Sequence, residues 1–286
     1  MRQFNGRGPH YICIGYKMSE EILIKSEIAV IMYGKNELIN FDNAMFMNRC
    51  GYPFLYVDSG STDGTIDSLK KEKITYIETS FVNWPLLRDI GYKWCEEKSI
   101  KWFIILDADE RIGYKDIKKL DKMEKTEDAY WCAFDFHFNG NKMNFGGHRN
   151  RIRFVSVKNS KVSGDTKTEW VDAKRIGITQ PIIRIVNNDL HDFSSIIEKQ
   201  AQKARLSVNI NVNNISTEHS LVKQIFLSSI SRFPIIKGFL YFIYHYFFRL
   251  AILDGKTGFL FCIANAFIFN ICEAAMQNGN IAPKSK

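Results

Sequence analysis

The chain has 286 residues, 45% apolar and 24% charged, which excludes wholesale disorder and collagen-like or coiled-coil rods and suits one large domain with or without an appendage. Its six cysteines contain no CxxC pair, which argues against a zinc ribbon or redox motif and fits reduced thiols in a cytosol. The 39 Lys/Arg against 31 Asp/Glu leave a net charge of +8, and between Asn141 and Arg205 the balance is 13 to 6. An anionic partner for that block is expected, either a phosphorylated substrate or an anionic membrane, with a solvated basic face as the alternative. No zinc finger or RNA-binding signature accompanies the charge, so nucleic acid is not expected.

The N-terminal text, MRQFNGRGPHYICIGYKM, lacks the apolar run of a secretory signal, and residues 1–25 read as a polar extension. From Glu27 the pattern alternates. EIAVIMY (27–33) reads as a strand, 38–50 as a helix, PFLYVD (53–58) as a strand and 64–72 as a helix. ITYIE (74–78) reads as a strand, 86–98 as a helix and WFIIL (102–106) as a fourth strand. Short apolar strands alternating with helices predict βαβ units and a mainly parallel, Rossmann-like sheet flanked by helices. In such sheets ligands bind beyond the carboxyl ends of the strands, where Asp58 and Asp107 stand. After residue 128 the text changes: AYWCAFDFHF (129–138), RIRFVSV (151–157) with basic residues on one face, and PIIRIV (181–186) read as further strands. Residues 194–209 read as a basic helix, and 233–272 as an aromatic helical region broken at LDGKTG (253–258). The expected organisation is a catalytic domain over 26–200, with halves of about 26–128 and 129–200, followed by a helical region over 201–286.

Two segments carry chemistry. In VDSGSTDGT (57–65) a strand end runs into a Gly/Ser/Thr turn, where backbone N–H groups and hydroxyls such as that of Ser61 are available and Asp58 can accept from a base or ribose edge. A plain turn is the alternative. In LDADER (106–111) an extended backbone would point Asp107 and Asp109 to one side, as oxygen ligands suited to Mg²⁺ or Mn²⁺. Glu110 and Arg111 beside them allow a second reading, a solvated charged turn.

In this order the two motifs resemble the family 2 glycosyltransferases of the glycosyltransferase A-type fold, most nearly the branch containing lipopolysaccharide core β-1,4-glucosyltransferases. FVNWPLLRDIGY (81–92) fills the family's middle segment, with Arg88 on its arginine and Asp89 where Asn is usual. NRIRFVSV…TEW is similar to its arginine-rich strand and acidic position, with Thr168 replacing a histidine. DLHDFSS (189–195) and AILDGKTGF (251–259) are similar to two later segments. The resemblance implies that Asp58, Ser61, Arg88 and Asp107 contact the nucleotide, that Asp109 and His191 serve the metal, and that Arg151 and Arg153 face phosphate or acceptor. Glu169 is the implied general base, with Asp165 and Asp172 as rivals. It further implies a nucleotide-sugar donor such as UDP-glucose, a saccharide or glycolipid acceptor such as lipooligosaccharide core, and inversion at the anomeric carbon. The alternatives are a non-catalytic relative that binds sugar nucleotide or membrane, and a nucleotidyltransferase, disfavoured because YGKNE lacks a basic phosphate loop.

FPIIKGFLYFIYHYFFRLAIL (233–253) has nearly the length of a membrane span, but Lys237, His245 and Arg249 interrupt it, and residues 258–272 read as too short to cross. An interfacial helix pair on the cytoplasmic face of a membrane is expected, against a packed helical subdomain or a dimer contact.

Overall fold

The computed structural model describes residues 12–13, 26–147, 150–164, 169–180, 182–187, 193–209, 234–268 and 270–272. Asp165 and His191 lie outside the described residues. The chain forms two compact units: one comprises Met1–Ala133, Asn150–Gly164 and Glu169–Ile185, the other Phe134–Arg149, Asp165–Thr168 and Val186–Lys286.

In chain order β1 (Ile12–Cys13), β2 (Ile28–Gly34), β3 (Phe54–Asp58), β4 (Tyr76–Glu78) and β5 (Trp102–Asp107) are followed by β6 (Glu110–Ile112), β7 (Ala129–Asp135) and, after the short hairpin β8 (His137–Phe138) and β9 (Asn141–Lys142), which belongs to the second unit, by β10 (Asn150–Ser156). The hairpin β11 (Ser160–Gly164) and β12 (Glu169–Ala173) precedes β13 (Ile176–Ile178) and β14 (Arg184–Asn187). The helices are α1 (Phe41–Asn48), α2 (Thr65–Lys71), α3 (Trp84–Glu97) and α4 (Tyr114–Lys122). Among the described residues the main sheet runs β1-β4-β3-β2-β5-β10-β7-β14-β6, with β13 beside β7. The β2–β3, β2–β5 and β3–β4 pairs are parallel, whereas β10 is antiparallel to both β5 and β7. The fold is α/β, as the alternation of strands and helices predicts.

The parallel core is apolar on both faces because helices cover it. Ile28 to Met32 are all buried, as are Leu55, Tyr56 and Val57 and the run Phe103–Leu106. Leu87, Ile90, Trp94 and Cys95 of α3 pack with Ile31, Leu55, Val57 and Ile105. Helix α3 begins two residues before the expected position, because Asn83 caps it by accepting from the Leu86 amide at 2.9 Å and a proline lies in its first turn. At Gly91 the helix comes so close to β2 that a methyl group would overlap the Tyr33 hydroxyl.

Other boundaries differ for local reasons. The expected helix 38–50 divides into a 3₁₀ turn, Leu38–Asn40, and α1. β6, α4, the β11–β12 hairpin and β13 have no counterpart in the sequence reading. β10 contains a bulge, since Ile152 and Phe154 face the consecutive residues Trp131 and Tyr130 and leave Arg153 as the extra residue. Ile152 and Val155, which strict alternation puts on opposite faces, therefore pack against one apolar cluster. The expected single basic face breaks at that point.

In the second unit α5 (Phe193–Asn209) is followed by α6 (Pro234–Ile243), a π-helical turn Tyr244–Phe248, a 3₁₀ turn Ala251–Asp254, α7 (Gly255–Ile263) and a second π turn Ala264–Ile268. The break expected at 253–258 has a structural cause: Leu250 is left-handed, with φ 59°, and Asp254 receives the amides of Asn144, Phe145 and Gly146 at 2.7, 3.1 and 2.9 Å. Phe138, Met143, Ile196, Ala251, Phe261, Cys262 and Ala264 form this unit's apolar cluster. Ala251–Cys272 is long and apolar enough by length and composition to cross a membrane, with an 18-residue window of mean hydropathy 1.4 that is 29% buried, whereas residues 258–272 alone read as too short.

The loop after β3 is tied down by its own acid. Asp63 accepts from the Leu38 amide at 2.9 Å, the Thr65 amide at 3.0 Å and the Thr65 hydroxyl at 2.6 Å. Burial raises its carboxyl, but the Thr65 hydroxyl and the backbone amides outweigh it and hold the group below the ordinary carboxylate range. A folded-state value below the unfolded one contributes stability above the ordinary carboxylate pKa and loses it as pH falls through the folded value. Asp63→Ala is expected to cost about 1–2 kcal/mol at neutral pH, as loss of a helix cap does. Urea unfolding of both proteins at neutral pH and near pH 3 checks this, with the gap narrowing in acid.

Candidate active site

The register of the parallel strands fixes where the two acidic strand ends lie. Gly34 of β2 faces Asp58 of β3, and the preceding Tyr33 faces Asp107 of β5. Asp58 and Asp107 thus flank one central strand at the carboxyl edge, separated by two strand spacings of about 4.8 Å each. Gly34 is the floor between them: a methyl there would overlap the Tyr56 hydroxyl and meet Ala108 Cβ at 2.9 Å.

Asp58 is buried, with 1% exposure, and works first as a loop organiser. Its Oδ2 accepts from the amides of Gly60 at 2.9 Å and Ser61 at 2.8 Å, and its Oδ1 from the Ser61 hydroxyl. The Ser61 Oγ in turn accepts from the Asn36 amide at 2.8 Å, and Asn36 Oδ1 receives the Thr62 amide at 2.7 Å. These bonds lace the loop after β2 to the loop after β3.

The LDADER segment is a turn at Ala108 and Asp109 between β5 and β6, where the sequence suggested an extended strand. The Asp107 amide donates to Glu110 Oε2 at 3.1 Å, and the Asn43 amide group of α1 donates to the Ala108 carbonyl at 3.0 Å. The turn still gathers acids: one ligand oxygen each from Asp107, Asp109 and Glu110 lie within 4.8 Å of one another. Glu110 is 2% exposed, which corrects the reading of it as part of a solvated turn. The sequence held one signal for it, the alternation of Ala108 and Glu110 with Asp107 and Asp109, but two adjacent charges after a strand end masked it.

Two buried arginines hold these acids. Arg88, 1% exposed, gives Nη2 to Asp107 Oδ1 at 2.8 Å and forks onto Glu169, with Nε on Oε2 and Nη2 on Oε1, both at 2.8 Å. Its guanidinium stacks 4.3 Å from the Tyr33 ring centre and 5.1 Å from that of Trp84, one turn earlier in α3. The Tyr33 hydroxyl donates to the Arg88 carbonyl at 3.2 Å. Arg153, aimed by the bulge, gives Nη2 to Asp107 Oδ2 at 2.8 Å and to Glu110 Oε1 at 2.5 Å, and its Nη1 lies 3.9 Å from Glu169. Burial opposes charge on both arginines, yet the facing carboxylates win and raise each above its ordinary value. For Asp107 the arginines likewise overcome burial and hold the carboxyl far below its usual range. Glu110 goes the other way: burial, with Asp107 and Asp109 beside it, outweighs Arg153 and pushes it up to about 8.

Of the other residues expected here, Arg151 lies half-exposed, and its charge acts on both Asp107 and Glu110. Asp172 is not brought to the arginines but is held inside its hairpin by the Ser163 hydroxyl and, at 3.0 Å, the Trp170 indole. Asp89 pairs with Lys93 at 2.6 Å on an exposed face of α3. The basic block is divided. β10 brings Arg153 to Asp107, whereas Lys158, Lys161, Lys174 and Arg175 line a hollow of about 960 Å³ beyond Ser156, which faces Trp102 at the start of β5.

No family model and no curated protein matches the chain. Among solved structures it is similar to the crystal structure of S. aureus TarS 1–349, at 10% identity and a TM-score of 0.40 over 90% of this chain and 93% of that one. It is similar to mannosyltransferase PcManGT from Pyrobaculum calidifontis, solved with GDP-Man and Mn²⁺, at 12% identity and 0.42 over 90% and 88%. A longer S. aureus TarS structure aligns at 13% and 0.38 over 87% and 55%. These are distant likenesses in chain path and nothing more.

The salt-bridge lattice makes a sharp prediction. Arg88→Met takes from Glu169 its forked partner and from Asp107 one of its two arginines, leaving carboxylates that are 24% and 30% exposed, which is expected to cost about 1–3 kcal/mol. Arg88→Met combined with Glu169→Gln should recover part of the loss, as denaturant unfolding of the three variants and wild type would show.

Proposed function

We propose that the first unit is the catalytic unit of a divalent-cation-dependent glycosyltransferase, moving a hexose from a nucleotide-sugar donor to a saccharide of the cell envelope with inversion. UDP-glucose is the first donor to test and lipooligosaccharide core the first acceptor. The observation that carries this reading is the pairing of Asp58 and Asp107 across β2 at the carboxyl edge, with Asp109 and Glu110 gathered beside Asp107.

Each residue then has a task set by its surroundings. The loop after β3 meets the nucleoside as a preset surface, because Asp58 and Asn36 hold the Gly60, Ser61 and Thr62 amides and the Ser61 hydroxyl in place. Oxygen donors of the Asp107–Asp109–Glu110 cluster fit Mg²⁺ or Mn²⁺. Both oxygens of Asp107 accept from arginines and both of Glu110 from Arg153 and a backbone amide, so a cation here competes with those bonds, and Asp109 is the acid that the resembled family gives to the metal. A cation held there supplies positive charge to offset that building on the leaving diphosphate. Arg88, Arg151 and Arg153 add fixed positive charge beside it.

Glu169 is the acid nearest to hand for the acceptor hydroxyl, but both its oxygens accept from Arg88. An anionic diphosphate arriving at Arg88 competes for that guanidinium and releases a Glu169 oxygen, which ties the availability of the base to the presence of donor. Asp89, where the resembled family has Asn, is directed to Lys93 and leaves this arrangement untouched.

Two substitutions test the reading. Asp109→Ala is expected to lower Mn²⁺-dependent hydrolysis of the donor by about 10²-fold or more, since the cation supplies several kcal/mol. If wild type binds UDP with Mn²⁺ but hydrolyses none of a panel of nucleotide sugars, the chain is a binding module. Glu169→Gln is expected to slow transfer by about 10²–10⁴-fold while leaving UDP and Mn²⁺ binding in place, read by transfer assay beside calorimetry.

A further inference from the structure

Helix α6 and the π turn that follows it are apolar on two faces. Gly238, Phe242 and Tyr246 form the inner seam of α6 and its π turn: Gly238 abuts the Ala266 backbone, and the rings of Phe242 and Tyr246 pack against Phe259. The outer rows are apolar as well. Ile235 and Phe239 run at helical spacing toward Phe247, and Ile236 and Leu240 toward Tyr244 and Phe248, with exposures of 46–76%. Leu250, Ile252 and Leu253 continue this surface at the turn before α7. Apolar rows of this length are suited to burial, and among the described residues nothing covers them.

Charge selects the occupant. Between residues 234 and 272 the only acid is Asp254, and three backbone amides consume its carboxylate. Arg249 and Lys256 are exposed within the apolar turn, Arg249 donating one long hydrogen bond of 3.4 Å to the Gly147 carbonyl. A second copy docked two-fold on this surface would bring these cations together with no carboxylate to meet them. An anionic bilayer offers apolar chains to the rings and phosphates to the cations.

Length and packing select the mode. Residues 234–248 extend about 22 Å as a helix, short of the roughly 30 Å hydrocarbon core. The longer stretch Ala251–Cys272 is tied into its own unit. Ala251, Phe261, Cys262, Ala264, Ala266 and Asn270 are buried, and Gln200 of α5 donates to Asn265 at 3.1 Å.

We propose that the outer face of α6 and the 247–256 turn is a monotopic docking surface for an anionic membrane, with Phe248, Leu250 and Leu253 entering the headgroup zone and Arg249 and Lys256 meeting lipid phosphate. The proposal rests on the second unit alone and stands whatever reaction the first unit performs. The test is co-sedimentation of the full chain with phosphatidylcholine vesicles with and without phosphatidylglycerol, alongside size-exclusion chromatography with light scattering. Wild type should bind the anionic vesicles about tenfold or more tightly, with binding weakened by salt. Phe248→Asp combined with Leu253→Asp should lose that binding at an unchanged melting temperature. Arg249→Gln with Lys256→Gln should bind both vesicles alike. Wild type that ignores both vesicles, or binds them equally, overturns the proposal. So does a wild-type dimer that the Asp variant converts to monomer, which assigns the face to a second copy, and so does resistance to alkaline carbonate extraction, which indicates a span.

Discussion

The first unit depends on one electrostatic arrangement: two arginines with almost no solvent contact, Arg88 and Arg153, set among Asp107, Glu110 and Glu169 at the carboxyl edge of a parallel sheet. Burying one such charge alone is prohibitive, so the guanidinium groups persist there because acidic side chains face them, although Arg88 Nη1 and Arg153 Nε are buried without a hydrogen-bond partner. The fold provides the burial. Gly91 lets α3 lie close enough to β2 for Tyr33 to stack under Arg88, and the bulge in β10 turns Arg153 toward Asp107. The arrangement is costly as a stability device, because apolar packing would serve as well. Its effect is to hold acids at fixed positions at the carboxyl edge of the sheet.

That fixity separates the acids by role. Asp107 and Glu110 spend their oxygens on arginine and backbone, and respond in opposite directions: the arginines pull Asp107 down, while burial drives Glu110 up. Asp109 lies in the turn itself and is half-buried. A site of this kind is organised before any ligand arrives, which is the condition under which fixed charge stabilises charge that develops during a reaction.

Much of this was legible in the sequence. The apolar runs ending in Asp58 and Asp107 marked both the strands and the edge of interest, and an arginine between them suggested a third element at the same place. What the residues hid follows from geometry that only pairing reveals. Arg153 sits in a text that alternates cleanly, and nothing in RIRFVSV announces the bulge that buries it. Glu110 looked like surface charge because it follows two other polar residues, yet the turn at Ala108 and Asp109 folds it back under Asp107. The hairpin that carries Glu169 to Arg88 is too short and mixed in composition to stand out. In the tail, the break at LDGKTG was visible, but the reason for it, three amides from residues 144–146 gathered on Asp254, joins segments more than a hundred residues apart.

The central claim is that the acids fixed by Arg88 and Arg153 form a cation site coupled to a nucleotide site on the neighbouring loop. Electron paramagnetic resonance of Mn²⁺ titrated with wild-type protein, with and without UDP, addresses it most directly. The account requires Mn²⁺ to bind, to bind more tightly when UDP is present, and to lose that gain in Asp58→Ala as well as Asp109→Ala. Mn²⁺ that stays free in solution, or binds with no response to UDP, contradicts it.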